Sequence, residues 1–249
     1  MSERGWRLHI LPSAEEIARA AASLVADLAH ECATSKGRFT IALSGGSTPR
    51  LLFQALALPH YADRMSWDSW HVFWGDERCV PPDNRDSNYR MAVEALLEKV
   101  SIPLEQIHRI RGEAMPHDAA KQYEDIVRET FKTASPSFDL ILLGIGEDGH
   151  TASLFPDTPA LREENRLVVA NWAPHLRTYR VTFTLPLINL AKNVVFLATG
   201  LSKAKIVREI LEPTKGETRL PAAMVRPSQG MIQWFVTNES ASLLHQNHA

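Results

Sequence analysis

The chain has 249 residues, 45% hydrophobic, 22% charged and 8% aromatic, with 27 Lys and Arg against 29 Asp and Glu for a formal charge of −2. That is enough chain and apolar content to bury a core without disulfide staples, and it lacks the excess of Lys and Arg by which general nucleic-acid and membrane-surface binders gain affinity. Two cysteines, Cys32 and Cys79, are too few for a disulfide framework and too far apart for a CxxC clip, which fits a reducing compartment.

The opening Met-Ser-Glu-Arg-Gly-Trp-Arg has no apolar stretch of signal-peptide length, and no later window is an uninterrupted apolar run of membrane-spanning length. The expectation is an unprocessed cytoplasmic protein. From Ser13, the positions Ile17, Ala20, Ala21, Leu24, Val25 and Leu28 recur at three and four, with Ser13 and Glu16 forming a capping-box pair, and predict an amphipathic helix. Phe39 to Leu43 reads as a strand that stops at Ser44-Gly-Gly-Ser-Thr-Pro49, after which Leu51, Leu52, Ala55 and Leu56 resume helical spacing. Trp70 to Trp74 reads as a buried strand that delivers Asp76, Glu77 and Arg78 at its carboxyl end, and a polar loop leads to a helix near Ser87.

A helix from about Asp118 to Phe131 precedes the most continuous apolar strand, Phe138 to Leu143, which runs into Gly144-Ile-Gly-Glu-Asp-Gly-His150. Val181 to Leu185, Val194 to Thr199 and Ile232 to Val236 read as further strands, and Ser202 to Leu211 as a helix. Trp67, Trp70, Trp74, Trp172 and Trp234 read as core. Alternating strands and helices predict a single α/β domain over residues 1–249, a mostly parallel, doubly wound, Rossmann-like sheet with helices on both faces. Ligands of such sheets bind at the carboxyl ends of the strands, so the segments starting at Ser44, Gly75, Gly144 and Gly200 are the candidates for one shared pocket.

The Gly-rich turn from Ser44 to Pro49 can present consecutive backbone N–H groups, and the following helix points its positive end at the same place, as an anion cradle would. It has no Walker A lysine, so a phosphate monoester, met by Gly45, Gly46, Ser47 and Thr48, fits better than a nucleoside triphosphate. An ordinary strand-to-helix turn would look the same at this level. Gly144 to Gly149 matches GxGxxG, but His150-Thr-Ala-Ser-Leu-Phe-Pro156 leaves room for barely one helical turn, and Glu163 and Glu164 are poor ribose ligands. The match is therefore read as a decoy, with dinucleotide binding the lesser alternative. The same turn holds Asp148 and His150 close together, and a histidine there can serve as a general base. His245 and His248, in the polar tail, read as solvated or structurally bonded rings. No His, Cys, Asp or Glu grouping has metal-ligand spacing, and no GxSxG elbow is present.

Taken together, Ser44 to Pro49, Gly75-Asp-Glu-Arg78, Ser87-Asn-Tyr89, the thirteen residues Gly144 to Pro156 and Gly200-Leu-Ser-Lys-Ala204 resemble the 6-phosphogluconolactonase family in the family's own order. The resemblance implies hydrolysis of 6-phosphoglucono-1,5-lactone to 6-phosphogluconate without metal or organic cofactor. It implies His150 as the base that activates water, with Asp148 and Asp76 as orienting carboxylates. It also implies Gly46, Ser47, Thr48, Lys203 and Arg180 as phosphate ligands, and Arg78 as a phosphate ligand or a support for the carboxylates. Family members often carry a lysine where this chain has His175, with Arg177 nearby.

The related glucosamine-6-phosphate deaminases are the runner-up, and they resemble Gly-His-Ile-Ala-Phe-Asn-Glu-Pro where this chain reads Gly149-His-Thr-Ala-Ser-Leu-Phe-Pro156. Phe155 thus stands where their ring-opening carboxylate stands. A third reading, a silent sugar-phosphate sensor, has no need of His150 or Asp76 and leaves little room for a signalling module. The partner expected is a small sugar-phosphate lactone, with no nucleic acid or membrane, for a monomer or weak homo-oligomer.

Overall fold

Continuous apolar runs bounded by glycine become the central strands. In the computed structural model, which describes residues 5–133, 135–213 and 219–245, Phe39–Leu43 forms β2 and Trp70–Trp74 forms β3, as the sequence predicts. With β1 (Trp6–Leu11), β5 (Leu140–Gly144), β8 (Asn193–Ala198) and β9 (Met231–Thr237) they build a six-stranded sheet in the order β1-β9-β8-β5-β2-β3. Every neighbouring pair is parallel. The anticipated α/β class holds, with helices flanking the sheet. Leu140, Ile141, Leu142 and Leu143 of β5 are almost wholly buried, each contributing about 1.5–3 kcal/mol by leaving water. A charge at Leu142 would lose that and break the sheet's centre.

Local chemistry sets the helix limits. Helix α1 (Ala14–Lys36) starts where the Ser13 hydroxyl accepts the Glu16 N–H at 3.3 Å and stops at Gly37, whose φ of 68° is the left-handed cap glycine allows. It buries Ile17, Ala21, Ala22 and Val25. Helix α2 (Ser47–Leu56) leaves the Gly-rich turn after β2, and α3 (Pro59–Ala62) follows it. Helix α4 (Asn88–Ala95) is capped by Ser87, α5 (Pro116–Phe131) opens on a proline, and α6 (Leu185–Ile188) is a single turn. Helix α7 (Ala204–Leu211) completes the set after a short 3₁₀ turn at Leu201–Lys203.

The expectation of one sheet needs correction. Asp76–Arg78 does not simply trail from β3 but forms its own short strand, β4, which pairs antiparallel with β7 (Thr178–Phe183). Strand β6 (Val168–Ala173) pairs with the other side of β7, giving a second, three-stranded sheet in the order β4-β7-β6. The segment expected as a strand over Val181 to Leu185 therefore belongs to this small sheet and ends at Phe183. Gly75 is the junction: its N–H donates to the Leu43 carbonyl at 2.9 Å, and its carbonyl accepts the Phe183 N–H at 2.8 Å. Helix α5 packs against β6 and β7. Trp172, expected in the core, is 43% exposed because β6 is the outer strand of the small sheet, whereas Trp67, Trp70, Trp74 and Trp234 are buried.

Sheet order positions the site. The chain proceeds from β2 outward to β3 and then returns to the other side of β2 to lay down β5. The loops leaving β2 and β5 thus diverge at their carboxyl ends, where open α/β sheets bind ligands. At the opposite end of the strands Asp139, 1% exposed, accepts from Lys36 Nζ at 2.6 Å, Lys192 Nζ at 3.0 Å, and the Thr40 N–H and hydroxyl at 2.9 and 2.8 Å. No helix among the described residues is long and apolar enough to cross a membrane.

Candidate active site

The crevice between the β2 and β5 loops is a cleft of about 160 Å³, small against the 300–1,000 Å³ of drug-sized sites. The β2 loop supplies Ser44, Gly45 and Gly46, and the β5 loop supplies Gly144, Ile145, His150 and Ala152. Asp76 and Arg78 of β4 and Asn88 of α4 close the remaining side. A larger, mostly apolar cavity of about 390 Å³, bounded by Trp6, Leu211, Val225 and Trp234, holds none of the expected catalytic groups. Chemistry rather than size selects the smaller cleft.

His150 and Asp148 are joined as the sequence predicts: His150 Nδ1 lies 2.6 Å from Asp148 Oδ1, and the His150 N–H donates to the same oxygen at 3.1 Å. Burial alone would raise the Asp148 carboxyl, but the His150 N–H and ring outweigh it and hold the group below its ordinary range. An ionised carboxylate only accepts, so Nδ1 carries the hydrogen, and it is the neutral form of the ring that keeps a lone pair on Nε2. Gly146 makes the pair possible, since a Cβ there would lie 2.0 Å from His150 Nδ1 and 2.5 Å from Asp148 Oδ1. Phe155, buried, packs its ring on the imidazole at 4.8 Å between centroids. The position at which the deaminase-like pattern has a carboxylate is therefore an apolar wall behind His150.

Asp76 is 7% exposed and accepts the Ser153 hydroxyl at 2.6 Å. Asn88 Nδ2 donates to the Asp76 carbonyl at 2.9 Å, and Gly45 must lack a side chain because a Cβ would meet Asn88 Oδ1 at 1.9 Å. Glu77, beside Asp76 in sequence, points elsewhere: its carboxylate accepts the N–H groups of Arg78, Asn88 and Tyr89, each at 2.8 Å, and the Ser87 hydroxyl at 3.0 Å. It anchors the start of α4. Of the Asp76, Glu77 and Arg78 triplet, only the first and last line the cleft.

Of the expected cationic groups only Arg78 lines the cleft. Arg78 and Arg180 are register partners across β4 and β7, and Arg78 also donates to the Asp86 carbonyl. Burial first, and the Arg78 charge second, lower the Arg180 guanidinium from its ordinary range. Gly46 lines the cleft and precedes the first turn of α2, which no side chain caps, and the first N–H groups of a helix have no partner within it. Thr48 is buried with its hydroxyl 2.9 Å from that of Thr199, which ties α2 to the end of β8 just before Lys203. Ser47, Thr48, Asp148, Arg180 and Lys203 do not themselves line the 160 Å³ cleft, and His175 and Arg177 lie on the exposed β6–β7 turn. His245 is bonded to Glu212, and His248 lies outside the described residues.

The family model described as glucosamine-6-phosphate isomerases/6-phosphogluconolactonase matches residues 12–234. The chain belongs to this family. It is 41% identical over 204 residues to the 6-phosphogluconolactonase of Haemophilus influenzae, covering 82% of this chain and 87% of the relative. It is 44% identical over 213 residues to the 6-phosphogluconolactonase of a Synechocystis strain, covering 84% and 86%. The solved 6-phosphogluconolactonase of Trypanosoma cruzi superposes with a TM-score of 0.86 at 30% identity, covering 98% of both chains. Of the motifs quoted from the sequence, Ser44 to Pro49, Gly75 to Arg78, Ser87 to Tyr89 and Gly144 to Pro156 each contribute residues to the β2–β5 crevice, and Gly200 to Ala204 contributes none. Ser44, Asn88, Ile145 and Ala152 also line the cleft, and Ser153 and Thr199 bond to Asp76 and Thr48, although none of them was among the site residues expected from the sequence. The strand-to-loop position of Ser44 and Thr199 was the available signal.

Proposed function

We propose that this member of the family hydrolyses 6-phosphoglucono-1,5-lactone to 6-phosphogluconate in the oxidative pentose phosphate pathway. The observation that carries the reading is the Asp148–His150 pair, whose histidine lines a cleft shared with a Gly-rich helix start. His150 takes a proton from water as the water oxygen attacks the lactone carbonyl, and Asp148 stabilises the imidazolium that forms. When the ring oxygen leaves, His150 returns the proton to it, giving the open-chain hydroxyl and the carboxylic acid. Asp76 accepts a hydrogen bond from the water or a sugar hydroxyl. Gly45, Gly46, Ser47 and Thr48, with Arg78, Arg180 and Lys203, form the surroundings that hold the phosphate dianion.

A lactone carbonyl is already electrophilic, so a general base and remote anchoring suffice, and the reading calls for no metal or organic cofactor. Among the described residues no group of three His, Cys, Asp or Glu could hold a metal ion. The reading treats residues 1–249 as one domain acting as a monomer or weak homo-oligomer. Two free thiols, Cys32 and Cys79, fit a reducing cytoplasmic setting. Phe155 offers no ring-opening carboxylate for deamination.

The test uses chelator-treated protein and freshly generated 6-phosphoglucono-δ-lactone, followed against spontaneous hydrolysis, with a parallel glucosamine-6-phosphate deamination assay. Fast, chelator-insensitive lactone loss without ammonia is expected. Ammonia release, or lactone loss at the spontaneous rate, overturns the reading.

A further inference from the structure

The turn that carries His150 is gripped by the small sheet at one residue. Ser153 is 2% exposed, and each of its three polar groups goes to a side chain on a different strand of that sheet. Its hydroxyl donates to Asp76 Oδ2 on β4 at 2.6 Å, and its N–H donates to Thr182 Oγ1 on β7 at 3.2 Å. Its carbonyl accepts from Asn171 Nδ2 on β6 at 2.9 Å. Asp76 and Thr182 are register partners, so two of these contacts come from one rung of the ladder. All three partners are themselves buried.

The segment so held departs from relaxed geometry. Ala152 has φ of 48°, a left-handed conformation unfavourable for a residue with a Cβ, and the chain reverses between Thr151 and Leu154, which form an isolated antiparallel bridge. Such a conformation persists only where its surroundings over-determine it. Ser153, next in sequence, supplies that restraint. The chain between His150 and Ser153 is also too short to let one move independently of the other.

We propose that Ser153 is a positioning residue for lactone hydrolysis, fixing the Asp76 carboxylate and the His150 turn against each other across the cleft. It touches no reacting atom and acts through Asp76 and the turn. The inference rests on the lactonase reading. It goes further by making the small antiparallel sheet a three-point clamp on the loop bearing the base. A side chain without a short hydroxyl cannot satisfy Asp76 from this position, and a buried carboxylate oxygen that loses its donor reorients or draws in water.

The experiment compares full-length wild type with Ser153→Ala, Asp76→Asn and the double variant on 6-phosphoglucono-δ-lactone. Amide hydrogen exchange over residues 148–153 is measured in parallel. Ser153→Ala is expected to lower kcat by about 10- to 100-fold with KM within about twofold. In the Asp76→Asn background the same change is expected to cost less than threefold, because coupled groups are not additive. The 148–153 amides are expected to exchange faster. Thr182→Val, nearly isosteric, removes a second clamp point and is expected to accelerate the same amides should Ser153→Ala fail to fold. Full kcat in Ser153→Ala, additive losses in the double variant, or unchanged exchange in the turn overturns the proposal. If wild type shows no lactone hydrolysis, the functional reading fails on its own, and the exchange measurement still decides whether the clamp exists.

Discussion

Replacing Asp148 by Asn tests the proton logic at the smallest structural cost. The asparagine carbonyl can still accept from His150 Nδ1, so the side chain keeps its shape and loses its charge. Two things are lost. The 2.6 Å charge-assisted bond becomes a neutral one, and charge-assisted bonds are roughly twice as strong, a difference of about 1 to 1.5 kcal/mol. The amide can also flip and donate to Nδ1, which moves the ring hydrogen to Nε2 and removes the base. Both side chains are about a third or more exposed, His150 33% and Asp148 40%, so solvent screens part of the Coulomb attraction. The net loss in the transition state is therefore about 1 to 2.5 kcal/mol, or roughly 5- to 70-fold in kcat. The assay is initial-rate lactone hydrolysis at saturating substrate, with the spontaneous rate subtracted and thermal unfolding of the variant recorded. KM is expected to stay within about twofold, because Asp148 does not line the cleft. A kcat within twofold of wild type, or a loss appearing wholly in KM, refutes the reasoning.

Further outcomes follow from other parts of the structure. Gly146→Ala is expected to lower kcat by more than Asp148→Asn, since its Cβ would intrude to 2.0 Å from His150 Nδ1 and displace the ring; steady-state kinetics on both variants check the order. His150→Ala is expected to lower kcat with little change in KM, whereas Lys203→Ala raises KM most, and equal KM effects contradict that division of roles. Asp139→Asn is expected to destabilise the fold by about 2–4 kcal/mol at neutral pH while leaving kcat intact, because it strips a buried carboxylate from two lysines at the far end of the sheet. Burial raises the Asp139 carboxyl, but Lys36, Thr40 and Lys192 outweigh it and hold it below its ordinary value. Its contribution is thus present above the unfolded value of about 3.9 and lost as pH falls through the lower folded value, so denaturation curves of wild type and variant should converge in acid.

The central strands were legible because β2, β3 and β5 are mostly apolar runs that end at glycine or serine, which gives sequence a sharp edge. The Asp148–His150 pair was legible for a related reason: its members are two residues apart in a glycine-bounded turn. The small sheet was not. Strand β4 is the polar Asp-Glu-Arg triplet, whose extended shape is imposed by pairing with β7 far along the chain, at Arg180 to Thr182. Strand β1, Trp6–Leu11, alternates only loosely between half-buried and exposed positions and takes its conformation from β9. Ser153 shows the limit most clearly, since its three partners are 77, 29 and 18 residues away. Nothing local distinguishes a serine that closes such a clamp from one that faces water. Thr48 likewise reads as a phosphate ligand from its loop, while its bond to Thr199 can be known only from the packing of β2 beside the strands that follow.

Gly75 has a mechanical consequence. Because its N–H is fastened to the large sheet and its carbonyl to the small one, it works as a pivot, and the residue after it is a cleft-lining carboxylate. A tilt of the small sheet is therefore levered straight into the cleft, while strain applied at the Asp139 end must pass the full length of the strands. Tethering the protein to a surface through the exposed side of β6 is expected to lower turnover more than tethering it beside Lys192, and initial rates of the two immobilised forms check this.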